Sequence, residues 1–477
     1  MGVDLVGKTN LIVEQLRQIV GDQGLVADDA SRQPYLRDEL GAFHGRALAI
    51  VRPADTEQVS EVVKACAAAG VAMVPHGGNT GYCGGATPDE SGRQVLISLE
   101  RMRRIHEVDA IGYTLTADAG CVLANLQAAA EEKGLLFPLS LGSEGSCQIG
   151  GNLSTNAGGL AVLHYGNARD LVLGLEVVLP DGEVWDGMKA LRKDNSGYDL
   201  KQWFIGAEGT LGIITRVVLK LFPRPAFQAT ALVAVASIAA ACELLAAARK
   251  LSGDAVTSFE YIPGFALALV GQNIDGARVP FDDDYAHHVL IELSSHQENI
   301  QQTLEDILEN ALESGHALDA AIAGSGEQRD ALWRLRESVP EAQRHAGGSY
   351  KHDVSVPIPR IPQFMDEACE AVFEVAGDAR ICAYGHLGDG NLHFNLLPPA
   401  GMSLEQFKES PGPRISQRIH TLAHRFEGSV CAEHGVGQLK AGLLAQYASP
   451  VALKMMRDIK HALDPAGLMN PGKVLLP

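Results

Sequence analysis

P-L-S-L-G-S-E-G-S-C-Q-I-G-G-N-L-S-T-N-A-G-G, Pro138 to Gly159, is the stretch on which the reading of this chain turns. Its 22 residues hold six glycines, four serines, one threonine and two asparagines, with few charges. A surface loop of that length is unusual without a function. Small residues and short hydroxyls suit a flat, polyanionic ligand packed against main chain. Two further Gly-rich segments flank it. P-H-G-G-N-T-G, Pro75 to Gly81, follows an apolar strand pattern and is itself followed by Gly84 and Gly85. Clustered glycines after a strand let backbone N–H groups turn toward an anion. By itself this segment reads equally well as a tight turn. It is not a Rossmann fingerprint, because G-x-G-x-x-G is absent, and not a P-loop, because no G-K-[ST] follows. G-A-E-G-T-L-G, Gly206 to Gly212, leads into the strand pattern I-I-T-R-V-V-L-K-L. Together the three segments predict a dinucleotide or flavin site.

Outward from these segments the chain alternates strand and helix patterns. Strands are expected at 47–51, 71–74, 95–98, 113–117, 171–179 and 183–185, and helices at 10–20, 56–69 and 123–133. F-P-R-P, Phe222 to Pro225, reads as a linker. Beyond it, strands at 230–236, 289–293, 351–356, 381–386 and 391–397 alternate with helices at 239–251, 300–314, 329–339 and 364–375. From about Leu404 the pattern is mostly helical. The fold class is α+β, with domains at 1–222 and 226–425 and a helical segment at 426–477 that returns to the first domain.

The chain has 477 residues, enough for two or three domains, and 46% are hydrophobic, which rules out disorder. With 39 basic and 58 acidic residues the net charge is −19, which repels nucleic acid and anionic lipid. The eight cysteines include no C-x-x-C pair, so reduced, mostly buried thiols are expected and no iron–sulfur motif is present. The longest apolar stretch, Ala226 to Cys242, is shorter than the roughly 20 residues of a membrane span. No basic-then-apolar leader opens the sequence. A cytoplasmic protein without a transmembrane segment is the expectation.

The three Gly-rich segments, with F-I-G-A-E-G-T-L-G-I-I-T and the C-terminal L-D-P-A-G-L-M-N-P-G-K, resemble the FAD-binding domain of the vanillyl-alcohol-oxidase-type flavoproteins. The resemblance covers nearly the whole chain and is greatest to the D-2-hydroxyglutarate dehydrogenases and related FAD-linked D-2-hydroxy-acid dehydrogenases. It implies two α+β subdomains around FAD, an antiparallel-sheet substrate cap and C-terminal helices. By the resemblance Gly77, Gly78, Asn79, Thr80 and Gly81 cradle the pyrophosphate. Pro138, Leu139, Ser140, Gly142, Ser143, Gly151, Asn152, Thr155 and Gly158 line the FAD, with Glu208, Gly209, Ile214 and Asn470 completing the set. Some relatives carry a flavin-linking histidine in the first loop. Here Asn79 follows the glycine pair and His76 precedes it, which argues for non-covalent FAD.

A second constellation lies further on. In G-H-L-G-D-G-N-L-H-F-N, Gly385 to Asn395, strand alternation puts Asn391, His393 and Asn395 on one face and Leu392, Phe394 and Leu396 on the other. The Gly-rich turn lets His386 face His393. C-A-E-H-G-V-G follows, with Glu433 and His434. Two histidines and a glutamate suit a catalytic metal with an open position, and the resemblance places a divalent metal, typically Zn²⁺, on His386, His393 and Glu433. Mn²⁺ or Co²⁺ would also suit these ligands. The resemblance assigns Arg336 and Lys351 to the substrate's distal carboxylate. The family pattern often has Thr four residues after the arginine, where this chain has Pro340, so the particular acid is open.

The expected activity is oxidation of D-2-hydroxyglutarate, with D-malate a second substrate. Flavin N5 takes the hydride, a metal acidifies the hydroxyl, His434 takes its proton and Asn395 holds a substrate oxygen. The partners implied are a small 2-hydroxy (di)carboxylate and an electron acceptor, either electron-transfer flavoprotein or a quinone. A homodimer is left open. The alternatives are a D-lactate or glycolate dehydrogenase of the same superfamily and, in another class, a zinc hydrolase on His386, His393 and Glu433.

Overall fold

The computed structural model describes residues 2–476, with side chains from Asn10 onward. The chain divides into two compact units. The first comprises the residues up to Gly159, Gly166–Arg224, and Glu433 to the end. The second comprises Leu160–Tyr165 and Pro225–Ala432.

The first unit opens with helix α1 (Gly2–Val20) and strand β1 (Ala47–Val51). Helix α2 (Thr56–Ala69) starts where the Asp55 carboxylate accepts the Gln58 N–H at 2.8 Å, and its valines are buried on one face. Strands β2 (Met73–His76) and β3 (Gln94–Ser98) follow. These three strands form a parallel sheet in the order β1-β3-β2. The central strand β3 is buried at all five positions, as a covered parallel strand must be.

A second sheet, antiparallel and five-stranded, contains β4 (Ile105–Asp109), β5 (Thr114–Asp118), β6 (Val172–Val178), β7 (Val184–Gly187) and β8 (Ile213–Lys220) in the order β4-β5-β8-β6-β7. Its buried polar atoms are matched: the Glu176 carboxylate accepts the hydroxyls of Thr56 (2.5 Å) and Thr215 (2.9 Å). Between β5 and β6 lie helix α3 (Leu123–Glu131) and the short helix α4 (Ile149–Ser154). Phe222–Pro223, expected as linker, instead pairs antiparallel with Leu135–Leu136, and the units change at Arg224 and Pro225.

The second unit is built on a four-stranded antiparallel sheet. Its strands are β9 (Phe227–Val235), β10 (Val256–Pro263), β11 (His287–Ser295) and β12 (Ala317–Ile322), in the order β10-β11-β9-β12. Helices α5 (Ile238–Leu251) and α7 (Ile300–Glu313) pack on one side, α6 (Gly264–Asn273) and α8 (Gly326–Glu337) with the residues of the other core. Pro340 is the second residue of a new helix, α9 (Val339–His345), where a proline's missing N–H costs nothing. A three-stranded antiparallel sheet follows, made of β13 (Asp353–Ser355), β14 (Arg380–Tyr384) and β15 (Asn391–Leu397), with β15 central.

Two boundaries differ from the sequence reading. Leu160–Tyr165 belongs to the second unit rather than to the first 222 residues. The Ser258 hydroxyl donates to the Leu160 carbonyl at 2.8 Å, and Leu163 packs on the second core. The return to the first unit comes at Glu433, not at 426, because Ser429 is still hydrogen-bonded to Ser355 beside β13. All eight cysteines are free thiols, and burial pushes Cys66, Cys121 and Cys382 up to about 12. Among the described residues no helix is long and apolar enough to cross a membrane.

Candidate functional site

The first unit contains an open cleft walled largely by the Gly-rich segments. Gly77, Gly78, Asn79, Thr80 and Gly81, leaving the end of β2, line it with Gly151, Asn152, Thr155, Glu208, Gly209 and Ile214. Gly78 has to be glycine: a Cβ there would sit 2.4 Å from the Ser146 carbonyl oxygen. Asn79 adopts φ +56° and donates its amide to the carbonyls of Pro34 (3.2 Å) and Arg37 (2.8 Å), which ties the loop to that segment. Asn470 is 1% exposed, and its amide donates to the Gly85 (3.0 Å) and Glu208 (2.7 Å) carbonyls. It braces the cleft wall from behind.

Pro138, Leu139, Ser140, Gly142, Ser143 and Gly158 are not among the lining residues. Pro138 and Leu139 are buried, and the chain from Leu141 to Cys147 closes on itself, with the Glu144 N–H on the Leu141 carbonyl and the Ser146 N–H on that of Ser143. Half of the 22-residue stretch is thus a compact turn. The remainder enters α4 (Ile149–Ser154) and does reach the cleft. The sequence reading passed over Asp38, Cys83, Ala86 and Gln148, which line the cleft together with His76, Gly84 and Gly85, named there without a binding role. Gln148 lay inside the quoted stretch, masked by its small neighbours. Asp38 lies in an irregular region with no periodic signal.

Three lining residues leave buried oxygens without a protein partner: Asp38 Oδ2, Gln148 Oε1 and Asn152 Oδ1. Orphaned buried polar atoms are rare in native proteins, and three around one glycine-walled cleft fit a large polar cofactor. His76 is buried, with Nδ1 3.1 Å from the Ala86 carbonyl, and burial lowers its pKa. His434 also lines the cleft, its ring edge-on to Tyr82 with centroids 5.0 Å apart. Burial raises the Glu208 carboxyl, against the pull of two backbone N–H donors from Val436 and Gly437.

The second unit gathers Arg336, His386 and His393 into a closed circuit. Arg336, in the last turn of α8, places Nε 2.8 Å from Glu260 Oε2. The other Glu260 oxygen is 2.8 Å from His386 Nδ1. The His386 and His393 rings meet edge-on, with centroids 5.4 Å apart. His393 contacts the Tyr384 ring, and the Arg336 guanidinium lies 4.8 Å over that same ring. Burial alone would raise the Glu260 carboxyl, but the facing His386 and Arg336 charges outweigh it and hold it at about 2. The register of β13 on β15 sets Asp353 opposite His393, with ligand atoms within 4.8 Å. An imidazole and a carboxylate so placed are donors that suit a divalent metal, whereas His386, its Nδ1 held by Glu260, is not in the group of ligand atoms lying within 4.8 Å of one another. In the first unit, Glu433 and His434 likewise bring their ligand atoms within 4.8 Å.

Asn395 is buried on β15 and donates to Gln343 Oε1 at 3.1 Å. Lys351 precedes β13 by two residues and is exposed. Glu260 and Asp353 were missed from sequence. Each is a single acidic residue in a strand, and only pairing with neighbouring strands gives it a role.

Residues 47–187 match the model of the FAD binding domain, and residues 224–474 that of the C-terminal domain of FAD linked oxidases. The substrate-bound structure of p-cresol methylhydroxylase superposes with a TM-score of 0.76 at 18% identity, covering 98% of this chain and 97% of that one, which bears on fold alone. Fold and cleft together define an α+β flavoprotein of the vanillyl-alcohol-oxidase type. The mitochondrial D-2-hydroxyglutarate dehydrogenase of Arabidopsis thaliana is 36% identical over 97% of this chain and 81% of its own length. The D-2-hydroxyglutarate dehydrogenase of Xanthomonas citri pv. viticola is 37% identical over 96% of both chains. The chain belongs to the FAD-linked oxidase family, as an FAD-dependent D-2-hydroxy-acid dehydrogenase.

Proposed function

We propose that the protein oxidises D-2-hydroxyglutarate to the 2-oxo acid, with D-malate as a second substrate. The support is the 36% identity to a D-2-hydroxyglutarate dehydrogenase over 97% of the chain. Bound FAD would accept the hydride at N5, and Gly77–Gly81, Gly151, Asn152, Thr155, Gly209 and Ile214 would hold it without a covalent link. A bound divalent metal, Zn²⁺ by its nitrogen and carboxylate donors, would polarise the substrate hydroxyl, with His386, His393 and Glu433 as its ligands.

The chain's own residues divide the remaining work. His434 takes the hydroxyl proton. Arg336 and Lys351 bind the distal carboxylate, and Asn395 orients a substrate oxygen. Glu260 holds the His386 ring in one orientation and tautomer through Nδ1, as carboxylates do behind metal-ligating histidines. Electrons then pass to an electron-transfer flavoprotein or a quinone, in keeping with the lack of an iron–sulfur cysteine motif.

Anaerobic bleaching of the flavin absorbance by a panel of 2-hydroxy acids is the test. D-2-hydroxyglutarate should bleach it and the L enantiomer should not. Chelation should stop bleaching while flavin stays bound. Arg336→Lys keeps a cation beside Glu260 but loses the guanidinium fork. It should lower kcat/KM for D-2-hydroxyglutarate by about one to two orders of magnitude, the loss of a charged hydrogen bond worth about 1.5–3 kcal/mol. D-Lactate, with no distal carboxylate, should lose much less. Equal losses on both acids would refute the dicarboxylate pocket, and bleaching that survives metal removal would refute the metal's role. Preference for D-lactate or glycolate would keep the family and replace the substrate.

A further inference from the structure

We propose that Glu208 and Gln438 are positioning residues for His434, clamping from two sides the turn Gly435–Gly437 that follows it. The inference rests on His434 as the base of the proposed reaction.

The Glu208 carboxylate is committed to main chain. Oε1 accepts the Val436 N–H at 2.7 Å and Oε2 accepts the Gly437 N–H at 2.8 Å. Bonds to an ionised acceptor are the strong kind. A carboxylate so engaged has little left to offer a cofactor, and its charge would repel a diphosphate. Glu208 reaches the turn from a left-handed backbone conformation, φ +52°. Non-glycine residues persist there only where the surroundings over-determine them, and such positions cluster at functional sites.

The opposite side is held by the loop after the first Gly-rich segment. The Gln438 N–H donates to the Cys83 carbonyl at 2.8 Å, and its side-chain amide donates to the carbonyls of Gly84 (2.8 Å) and Thr87 (3.1 Å). The Cys83 thiol donates to the Gly435 carbonyl at 3.2 Å. The fit admits no side chain at Gly437, where φ is +50° and a Cβ would lie 2.1 Å from the Cys83 carbonyl oxygen. Cys83, Gly84, Glu208 and His434 all line the flavin cleft, and Tyr82, next to Cys83, meets the His434 ring. The turn is thus tied to both walls of the cleft, and the imidazole one residue before it takes its place from them. A displacement of about 1 Å at a reacting group can cost on the order of 10²-fold in rate.

The test is a double-mutant cycle on the flavin-loaded enzyme, using Glu208→Gln, His434→Ala and the pair. Three quantities are read: flavin per chain with its visible spectrum, KM for D-2-hydroxyglutarate, and the single-turnover bleaching rate. Glutamine can no longer accept both N–H groups, because one of its two arms is itself a donor. Glu208→Gln should keep flavin content and spectrum and change KM little, and should lower the bleaching rate by about 10–100-fold. With His434 already removed, the same substitution should cost less than about twofold more.

Losses that multiply in the pair would show that Glu208 acts independently of His434 and overturn the inference. Loss of flavin in Glu208→Gln would show that it holds the cofactor, and also overturn it. Wild-type bleaching by His434→Ala would instead bring down the base assignment itself, a result separate from multiplying losses. If Glu208→Gln does not accumulate as folded protein, Gln438→Ala goes through the same cycle, with a smaller loss and the same non-additivity expected.

Discussion

At the scale of single residues, the most consequential side chain in the second unit is one that sequence reading passed by. Glu260 is 1% exposed and stands between Arg336 and His386. Arg336 and His386 were both candidates from sequence. Each had a motif around it, whereas Glu260 sits alone in V-T-S-F-E-Y-I-P. A buried carboxylate held between a guanidinium and an imidazole is costly to disturb, because removing it strands its partners out of water. Glu260→Gln should destabilise the protein by about 3–5 kcal/mol in denaturant or thermal unfolding. Flavin per chain should be unchanged, since every residue of the flavin cleft belongs to the other unit. A variant as stable as wild type would mean that Arg336 and His386 do not depend on this carboxylate.

At the scale of elements, alternation and capping carried the sequence reading a long way. The strands at 47–51 and 391–397 and the helix at 56–69 lie where the patterns placed them. On β15 (Asn391–Leu397) the apolar face of Leu392, Phe394 and Leu396 is fully buried, and His393 on the other face meets His386. Elements without a distinctive period were lost: β10 (Val256–Pro263) is buried at nearly every position, and such a strand shows no alternation. The Gly-rich loop after β2 (Met73–His76) offers a test at this scale. Gly78→Ala would force Cβ against the Ser146 carbonyl, and overpacking of this kind costs about 1–3 kcal/mol. If the strain falls on the cofactor-bound form, flavin affinity should drop by about 10–100-fold in equilibrium ultrafiltration. Wild-type affinity would show that the Ser146 turn yields without disturbing the cleft.

At the scale of the whole molecule, buried titratable groups tie stability to pH. His288 is 3% exposed, its ring stacked on Phe281 at 5.6 Å and its Nδ1 without a partner. Burial pushes it down to about 4. The unfolded chain, with an ordinary histidine near 6.5, therefore binds more protons between those two values. Stability is complete above pH 6.5 and should be lost as pH falls from there toward 4, by about 3 kcal/mol at 1.36 kcal/mol per unit. His288→Leu should flatten that part of the Tm–pH curve, and parallel curves for the two proteins would assign the acid loss to other groups.

What the sequence determined by itself was whatever is local or periodic: the class of fold, most strand and helix positions, the three Gly-rich segments, and the histidines of one hairpin. Tertiary structure decided which of those residues meet. It folded half of the long Gly/Ser stretch into a turn of its own, moved Leu160–Tyr165 into the second unit, and gave Glu208 and Glu260 their partners. The physical reason is separation along the chain. The Glu208 carboxylate finds its donors 228 and 229 residues away, and Glu260 finds His386 at 126. No spacing rule reaches that far, and contacts of that kind exist only once the sheets have closed.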